Sequence, residues 1–375
     1  RRVVVLNTSG IVTAVVQNNA ELRYPMHAVK SGNEIWIADL EKGLVKAESN
    51  LFERYAINSP YGRLDGEMLF YKNTLYVAGG SINDAWNYQF NGSGFFTFTN
   101  NEWKDYNRFT LPWMDTIFDI ISIAVDPRND VIYAGSFGGG LIEFTSATQY
   151  KIYKQNSPLN EAIGDPNNYR VGGMAFDKEN NLWISNFGGS NNFLVKKADG
   201  NWQSFRVPFL IQDNMVGAVL IDDADQKWIQ VPQGNGVFCY NHGASIDNTG
   251  DDRWKWLQAG RGNGNLPSNA VNCMVKDKDG FIWFGTDKGI AIIQCPGDVF
   301  TSNGCEAFQP VVQQDNFAGF LFENEDVRAL AVDAANRKWV GTRNGVWLIS
   351  ADGEKVLQRF TAENSPLLSN EIIRI

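Results

Sequence analysis

The most regular hydrophobic pattern in the chain consists of short apolar runs separated by turn residues. In residues 336–350, NRKWVGTRNGVWLIS, the runs KWVGT and GVWLIS flank an Arg-Asn-Gly triplet. Two apolar runs of strand length around a Gly-containing turn are typical of a β-hairpin. Because the stretch also contains Trp339 and Trp347, it is either an aromatic site or one unit of a repeated framework.

The same pattern recurs along the chain. Six earlier copies place an aromatic residue in one apolar run, then a Gly-containing turn, then a second apolar run; they are residues 34–45, 74–81, 131–144, 181–190, 227–240 and 281–293. The marker aromatic residues of the seven copies are Trp36, Tyr76, Tyr133, Trp183, Trp228, Trp283 and Trp339. Their spacing is about 50 residues, a period typical of repeat architectures. Residues 336–350 are therefore the last copy of a structural unit.

Each copy lies between two further strand patterns. An apolar run with an acidic turn precedes it, as in CMVKDKDG, and a run with its own aromatic residue follows it, as in RWKWLQAG. Four short strands per unit, repeated in one order, predict the blades of a β-propeller. A β-sandwich would not keep one strand order through seven units, and a parallel α/β fold would need helical periodicity between its strands.

We therefore predict an all-β fold, a single β-propeller of four-stranded blades over residues 1–375. The predicted modules are a partial one near 1–24 and full ones at 25–60, 61–110, 111–160, 161–210, 211–265, 266–325 and 326–375. The first residues, RRVVVLNTSGIVTAVV, align with the hairpin at 336–350, and the last ones, SNEIIRI, match a first strand. A seven-bladed ring is favoured; joining the two terminal fragments would give eight blades. The chain starts without Met or a signal peptide and is expected to be part of a longer multi-propeller protein.

Blade physics accounts for the repeated residue types. A blade cannot bury both faces alone, and large aromatic side chains fill the wedge between neighbouring blades. Trp283 and Trp339 are therefore predicted core residues, with stacking on a carbohydrate as the alternative. Gly289 and Gly345 stand where a tight hairpin requires positive φ.

Composition narrows the class of protein. Hydrophobic residues make up 43%, with 36 Gly and 6 Met, which favours strands and tight turns. The net charge is −9 and Lys and Arg form no basic block, so a nucleic-acid partner is not expected. The sequence has no run of about 18 apolar residues, so no transmembrane helix is predicted.

The four cysteines fit no zinc pattern. Cys295 and Cys305 lie close together in CPGDVFTSNGC, whereas Cys239 and Cys273 are isolated. A Cys295–Cys305 disulfide in an oxidising compartment and free buried thiols are both compatible with this spacing.

The sequence contains no recognisable catalytic or metal-binding motif. Its only His residues, His27 and His242, lie far apart, and there is no G-x-S-x-G nucleophile elbow. DDAD at 222–225 and DKDG at 277–280 resemble pieces of a calcium loop but stand where the repeat needs a turn. No carboxylate pair stands out for glycoside hydrolysis. We therefore predict a non-enzymatic recognition or scaffold module with no catalytic residue, metal or cofactor.

Two stretches carry a family resemblance. GFIWFGTDKGIAII and NRKWVGTRNGVWLIS resemble the two-component-regulator propeller repeat of Bacteroidota proteins. Over nearly the whole chain, and most strongly in its last third, the sequence resembles the PorZ-like propeller region of the type IX secretion system. That family implies a periplasmic or outer-membrane surface protein that is not an enzyme and that acts with a sortase on secreted cargo and anionic lipopolysaccharide. No short family motif specifies ligand residues, so the ligand-binding residues are left unassigned.

Two other functional classes remain as alternatives. The same repeat forms periplasmic sensor domains of hybrid two-component systems, which bind glycan fragments; the domain that follows Ile375 would separate this class from the first. A propeller lyase or glycosidase would need carboxylates and a His or Tyr in one funnel. If the function is recognition, we expect the binding surface in the loops that exceed the minimal module, at 82–95, 159–170, 241–265 and 295–325.

Overall fold

The computed structural model describes residues 2–55, 58–314 and 317–375. Side chains are described for these residues except within 313–318. The chain divides into two compact units, Arg1–Ser59 and Pro60–Ile375. Strands dominate both units, which agrees with the predicted all-β class.

The smaller unit contains one hairpin and one four-stranded antiparallel sheet. The hairpin strands are β1 (Val3–Leu6) and β2 (Val12–Val16), and the sheet strands are β3 (Pro25–Ser31), β4 (Glu34–Asp39), β5 (Gly43–Glu48) and β6 (Leu51–Tyr55). The core of this unit consists of Leu22, Ile37, Val45 and Ala47. The N-terminal residues thus form the hairpin that their alignment with 336–350 predicts.

The larger unit contains six consecutive antiparallel modules in its described residues. Module 1 has β7 (Met68–Tyr71), β8 (Thr74–Ala78), β9 (Phe95–Thr99) and β10 (Glu102–Tyr106); module 2 has β11 (Ile120–Val125), β12 (Ile132–Gly138), β13 (Gly140–Ser146) and β14 (Gln149–Tyr153); module 3 has β15 (Tyr169–Phe176), β16 (Leu182–Asn186), β17 (Phe193–Lys196) and β18 (Trp202–Phe205).

The last three modules follow the same order with one insertion. Module 4 has β19 (Val219–Ile221), β20 (Lys227–Gln230), β21 (Val237–Asn241) and β22 (Arg253–Leu257); module 5 has β23 (Val271–Lys276), β24 (Ile282–Thr286) and β25 (Gly289–Ile293), followed by the hairpin β26 (Val311–Gln314) and β27 (Phe317–Phe320); module 6 has β28 (Val327–Val332), β29 (Lys338–Thr342), β30 (Gly345–Ile349) and β31 (Val356–Phe360). An antiparallel β-bridge between Phe308 and Ile292 lies where the fourth strand of module 5 would be. Short 3₁₀ helices lie in the connections, at Pro112–Met114, Gln212–Asn214, Thr249–Asp251 and Pro296–Asp298.

The modules pack in the manner of propeller blades. The first strand of each module contacts the first strand of the next, in the series β7, β11, β15, β19, β23 and β28. Buried clusters lie between neighbouring modules; one of them combines Phe95 of module 1 with Ile123 and Phe144 of module 2. This arrangement confirms the β-propeller class, and the preference for seven blades over eight stays a prediction.

The marker aromatic residues occupy the second strand of each module. Trp183, Trp228 and Trp283 are at most 1% exposed, so these side chains are core wedges that cannot stack on a carbohydrate. Each indole Nε1 donates to the carboxylate six residues earlier, at 2.8 Å for Asp177, 2.9 Å for Asp222 and 2.8 Å for Asp277. Trp339 is half-buried and stacks on Phe360. The acidic turns, including the calcium-like DDAD and DKDG, therefore anchor the wedge residues.

The predicted hairpin glycines have positive φ. Gly289 has a φ of +102° and Gly345 a φ of +114°. A Cβ on Gly345 would lie 2.3 Å from the carbonyl oxygen of Phe360, so a larger residue there would displace the neighbouring strand.

The C-terminal residues occupy the place of a first strand beside module 6. The backbone N–H of Ile372 donates to Thr342 O at 2.9 Å. A Cβ on Gly341 would lie 2.6 Å from Ile372, the same separation found where Gly135 meets Val171 and Gly285 meets Val327. Val171 lies in the first strand of module 3 and Val327 in that of module 6, so Ile372 takes the place beside module 6 that a first-strand residue takes in those modules.

Cys295 and Cys305 form a disulfide with a Cα–Cα distance of 5.9 Å, which decides between the two alternatives for this pair. It closes the loop that leads to Phe308 at the outer edge of module 5.

Replacing both cysteines by Ser is expected to lower the free energy of unfolding by about 2–3 kcal/mol, because the unfolded chain loses a loop constraint. Urea unfolding with and without reductant measures this. Reductant should shift the midpoint of the native chain and leave the double variant unchanged; equal midpoints for both chains would contradict the prediction.

Candidate functional site

The four long loops lie in the larger unit and form two groups: 82–95 with 159–170, and 241–265 with 295–325. Loop 82–95 joins the second and third strands of module 1, and 159–170 joins modules 2 and 3. In an antiparallel meander these two kinds of connection leave the sheet at the same end. The predicted loop 241–265 includes β22, so only its last part lies at that end. Loop 295–325 likewise runs along the outer edge of module 5, where Phe308 pairs with Ile292, before it reaches module 6.

The residues 82–91, which we call the strap, reach from module 1 to distant modules. Asp84 Oδ2 accepts hydrogen bonds from Arg328 at 3.0 Å and from Arg343 at 3.3 Å. The carbonyl oxygen of Ala85 accepts a hydrogen bond from Gln233 Nε2 at 3.2 Å. The strap therefore connects module 1 to modules 4 and 6, by contacts that lie far apart in the sequence.

An aromatic cluster anchors the middle of the strap. The ring of Trp86 stacks on Phe187, with centroids 5.3 Å apart and an interplanar angle of 6°, and it also contacts Phe137. A Cβ on Gly217 would lie 2.6 Å from the Trp86 indole, so the glycine makes room for the ring. These contacts tie the strap to modules 2 and 3 and to the start of module 4.

A polar triad joins the strap to loop 159–170. Tyr88 donates its hydroxyl hydrogen to Asp165 and accepts a hydrogen bond from Arg170 Nε at 2.7 Å. The guanidinium of Arg170 lies 4.6 Å from the centroid of the Tyr88 ring. Burial, and then the hydrogen bond to Asp165, raise the pKa of Tyr88 to about 12. Tyr88 is thus held as a neutral hydrogen-bond donor and is not available as a base near neutral pH.

Asp119 fixes the end of the strap. This fully buried carboxylate accepts backbone hydrogen bonds from Gln89, Phe90 and Asn91 at 3.0, 2.9 and 2.8 Å. Phe90 adopts a φ of +52°, while its side chain is 71% exposed. The strap is therefore a hydrogen-bonded structural element that spans the modules.

Three further polar groups, Glu67, Cys273 and Arg374, lie close enough to influence one another's pKa. Glu67 Oε2 accepts a hydrogen bond from the N–H of Ile123 at 3.1 Å. Burial raises the pKa of Glu67 to about 7, although the Ile123 N–H and the charge of Arg374 act in the opposite direction. Burial also raises the pKa of the Cys273 thiol to about 12, so this cysteine is a poor nucleophile at neutral pH.

Replacement of Glu67 by Gln is expected to make stability less dependent on pH. A carboxyl group whose pKa is raised on folding contributes stability below its unfolded value, about 4.3, and loses it as the pH rises through about 7. The free energy of unfolding of the Gln variant minus that of the native chain should therefore be about 1–3 kcal/mol larger at pH 8 than at pH 4. Urea unfolding at both pH values measures the difference. Glu102→Gln, at an exposed site in β10, is the control, and parallel pH profiles for the native chain and Glu67→Gln would contradict the prediction.

The second loop group encloses a cleft. Glu306 Oε1 accepts backbone hydrogen bonds from Gly262 at 2.6 Å and Gly264 at 3.3 Å, and Asn265 Nδ2 donates to Ala307 O at 2.8 Å. These bonds join the connection after module 4 to the insertion of module 5. The cleft beside them has a volume of about 610 Å³ and is lined by Ala259, Gly260, Leu266, Pro267, Asp287, Lys288, Gln309, Phe320, Glu323 and Asn324. The sequence placed both loops among the candidates, but nothing in it brings them together.

The two His residues lie in different units of the structure. His27 is exposed in β3, and His242 lies in the larger unit with its Nδ1 2.8 Å from Lys227 Nζ. Lys227 is fully buried and also donates to Asp225. Among the described residues, no group of three or more His, Cys, Asp or Glu side chains could hold a metal ion.

These features define the class of the protein as a β-propeller. Residues 265–288, which include β23 and β24, match the family model described as two component regulator propeller. The fold is that of PorZ, the surface component of the type IX secretion system of the human oral bacterium Porphyromonas gingivalis, with a TM-score of 0.83 and 25% identity. The match covers 99% of this chain and 52% of the PorZ chain, so the chain spans about half of the length of that protein.

Two further structures are less similar to the chain. A virginiamycin B lyase from Staphylococcus aureus is similar with a TM-score of 0.53 and 12% identity, over 81% of this chain and 86% of the lyase. The extracellular domain of a putative hybrid two component system from Bacteroides thetaiotaomicron is 19% identical over 92% of this chain and 46% of that one, with a TM-score of 0.31. No curated protein sequence matches the chain significantly.

Proposed function

We propose that this chain is a non-enzymatic recognition and scaffold module of a type IX secretion surface complex, in which it binds a sortase-type partner protein, anionic lipopolysaccharide or both. The observation that carries the proposal is the similarity to PorZ, which extends over 99% of the chain at 25% identity. The absence of a catalytic role is part of the proposal, since the fold is also found in a lyase.

The chemistry of the described polar groups supports recognition rather than turnover. Asp84, Asp119 and Asp165 accept hydrogen bonds that hold the strap, and Tyr88 serves as a donor to Asp165. Asp177, Asp222 and Asp277 are engaged by indole and backbone donors in the turns. These carboxylates have structural hydrogen-bond partners and are not set out as a pair around an open position.

The proposed location is the periplasm or the outer-membrane surface. The Cys295–Cys305 disulfide supports it, because disulfides persist in oxidising compartments. In the described part of the chain, no helix has the length and apolar character needed to cross a membrane.

Co-purification tests the proposal directly. The immobilised chain is incubated with a purified type IX sortase and, separately, with purified anionic lipopolysaccharide, and retention of at least one of them is the expected result. A virginiamycin B lyase propeller on the same resin is the control for retention by the fold alone. If neither ligand is retained above that control, the proposal is wrong.

A second candidate function rests on the family match at residues 265–288. The matching family model describes a two component regulator propeller. A propeller in that role would bind a glycan fragment and signal through a dimer. Light scattering with and without oligosaccharides tests this candidate, and a glycan-dependent dimer would favour it over the scaffold function.

A further inference from the structure

The first strands of the larger unit surround an axis that is open to solvent. They contact one another in series from module 1 to module 6. Arg374, in the C-terminal residues beside module 6, influences the pKa of Glu67 just before β7, so the series curves back towards module 1. On these innermost elements Glu67 and Cys273 are only half-buried and Arg374 is exposed. A carboxyl, a thiol and a guanidinium group therefore line an axial channel.

A set of β-bulges marks one mouth of this channel. The first strands of modules 2, 3, 5 and 6 each contain one extra residue at the same repeat position, namely Ile121, Gly172, Asn272 and Arg328. Gly217 has this position in module 4, because it also lies three residues before the partner of the marker aromatic residue. The bulges lie at the starts of the first strands, which is the end of the modules from which the strap leaves.

The strap crosses this mouth. Its Trp86 indole occupies the space beside Gly217, and both Trp86 and Ile121 pack against the aromatic cluster described above. Asp84 accepts the hydrogen bond from Arg328 at 3.0 Å. Gly217, Ile121 and Arg328 belong to modules 4, 2 and 6 of one curved series. An element that leaves module 1 and meets all three of them lies across the mouth.

The tip of the strap, residues 83–87, has hydrogen bonds of its own. Asn83 Oδ1 accepts the backbone N–H groups of Ala85 at 3.1 Å and Asn87 at 2.9 Å, and Asn83 O accepts that of Trp86 at 2.8 Å. The tip can therefore leave the mouth without losing these bonds. Trp86 also has a left-handed φ of +58°, which is unfavourable for a bulky residue and is typical of segments that clamp or switch.

Trp86 is the main contact that holds the tip in place. The side chain of Asp84 is 77% exposed, and the hydrogen bond from Gln233 to Ala85 O is also exposed, so both contribute little. Beyond the tip, the hydrogen bonds to Asp119 hold residues 89–91 independently. The tip is thus a self-contained turn with one buried anchor, attached to a fixed base.

We propose that the tip is a releasable lid, which closes this mouth of the axial channel while Trp86 is seated and opens it when Trp86 leaves the aromatic cluster. The lid controls the access of small solutes to the carboxyl, thiol and guanidinium groups behind it. This role goes beyond the recognition function given above and does not depend on it.

The rate at which N-ethylmaleimide modifies Cys273 tests the lid, because this thiol directly follows the bulge residue Asn272 and lies just inside the mouth. In Trp86→Ala the rate is expected to rise by at least about tenfold, since the tip loses its buried anchor. Asp84→Ala, which changes an exposed side chain, should raise the rate by about twofold. Phe90→Ala is the matched control and should keep the native rate, because this exposed residue lies outside the tip.

Cys239 is the internal reference for unfolding. It is fully buried in β21, so it reacts only when module 4 opens, and peptide mass spectrometry without reductant gives the two rates separately. Faster modification of Cys273 with an unchanged rate at Cys239 supports the lid. Equal rates at Cys273 in the native chain and Trp86→Ala, or acceleration of both cysteines in step, would overturn it. If Trp86→Ala does not fold, Asp84→Ala decides, and an unchanged rate at Cys273 in that variant contradicts the proposal.

Discussion

Replacing Asp277 by Ala is expected to lower the free energy of unfolding by about 3–5 kcal/mol, because it leaves a buried ammonium without its partner. Asp277 Oδ2 lies 2.9 Å from Lys338 Nζ, and the two side chains are 1% and 0% exposed. The same oxygen accepts the indole hydrogen of Trp283, over whose ring the Lys338 ammonium lies at 4.4 Å. The substitution would therefore break the anchor of a wedge residue and the ion pair between modules 5 and 6.

Asp333→Ala is the matched control for this effect. Asp333 occupies the same position in the repeat of module 6, where its partner Arg337 has a side chain that is 43% exposed. Exposed ion pairs contribute about 0–1 kcal/mol, so the expected loss is correspondingly small. Chemical denaturation followed by Trp fluorescence measures both variants, and equal losses at the two positions would show that burial of the pair is not what stabilises the modules.

The same ion pair predicts a pH dependence. Burial alone would raise the pKa of Asp277, but hydrogen bonds from Lys338, Trp283 and the N–H of Phe281 lower it below its usual value. A lowered pKa contributes stability that is present above the unfolded value, about 3.9, and that is lost as the pH falls through the folded value. The difference in stability between the native chain and Asp277→Asn should therefore shrink as the pH is lowered below about 4.

The local features of the fold could be predicted from the sequence because each lies within one module. The second-strand position of Trp283 and the positive φ of Gly345 follow from the hairpin pattern. The spacing of six residues from Asp277 to Trp283 is also visible, but a spacing cannot show that the indole donates to the carboxylate. Lys338, just before Trp339, could not be assigned to the preceding module, because that contact depends on how two blades pack.

The functional surfaces were harder to predict for the same reason. Loop length identified 82–95 and 295–325 as irregular, but Asp84 and Arg328 are 244 residues apart in sequence and meet only in the folded unit. The cleft likewise combines short pieces of several connections, including Pro267, Asp287 and Phe320. Loop 82–95 is one of the loops predicted to present a binding surface; the structure shows that its residues 82–91 also hold the modules together.

Replacing Trp86 by Ala is expected to lower the free energy of unfolding by about 3 kcal/mol, because the stacking on Phe187 and the contacts with Phe137 are lost. The contacts of Asp84 with Arg343 and of Ala85 with Gln233 lie at exposed groups and contribute little by themselves. The strap should therefore detach from modules 3 and 4 before the blades unfold.

Phe90→Ala is the matched control, since this aromatic residue lies in the same strap but is 71% exposed, and its expected cost is below about 1 kcal/mol. Hydrogen exchange distinguishes detachment from global loss of stability. In Trp86→Ala the backbone N–H groups of residues 83–88 should exchange faster, whereas those of 89–91 should stay protected because the buried Asp119 carboxylate still accepts them. Uniform protection along the whole strap would mean that Trp86 is not its anchor, and that the hydrogen bonds to Asp119 and Asp165 suffice to hold it across the modules.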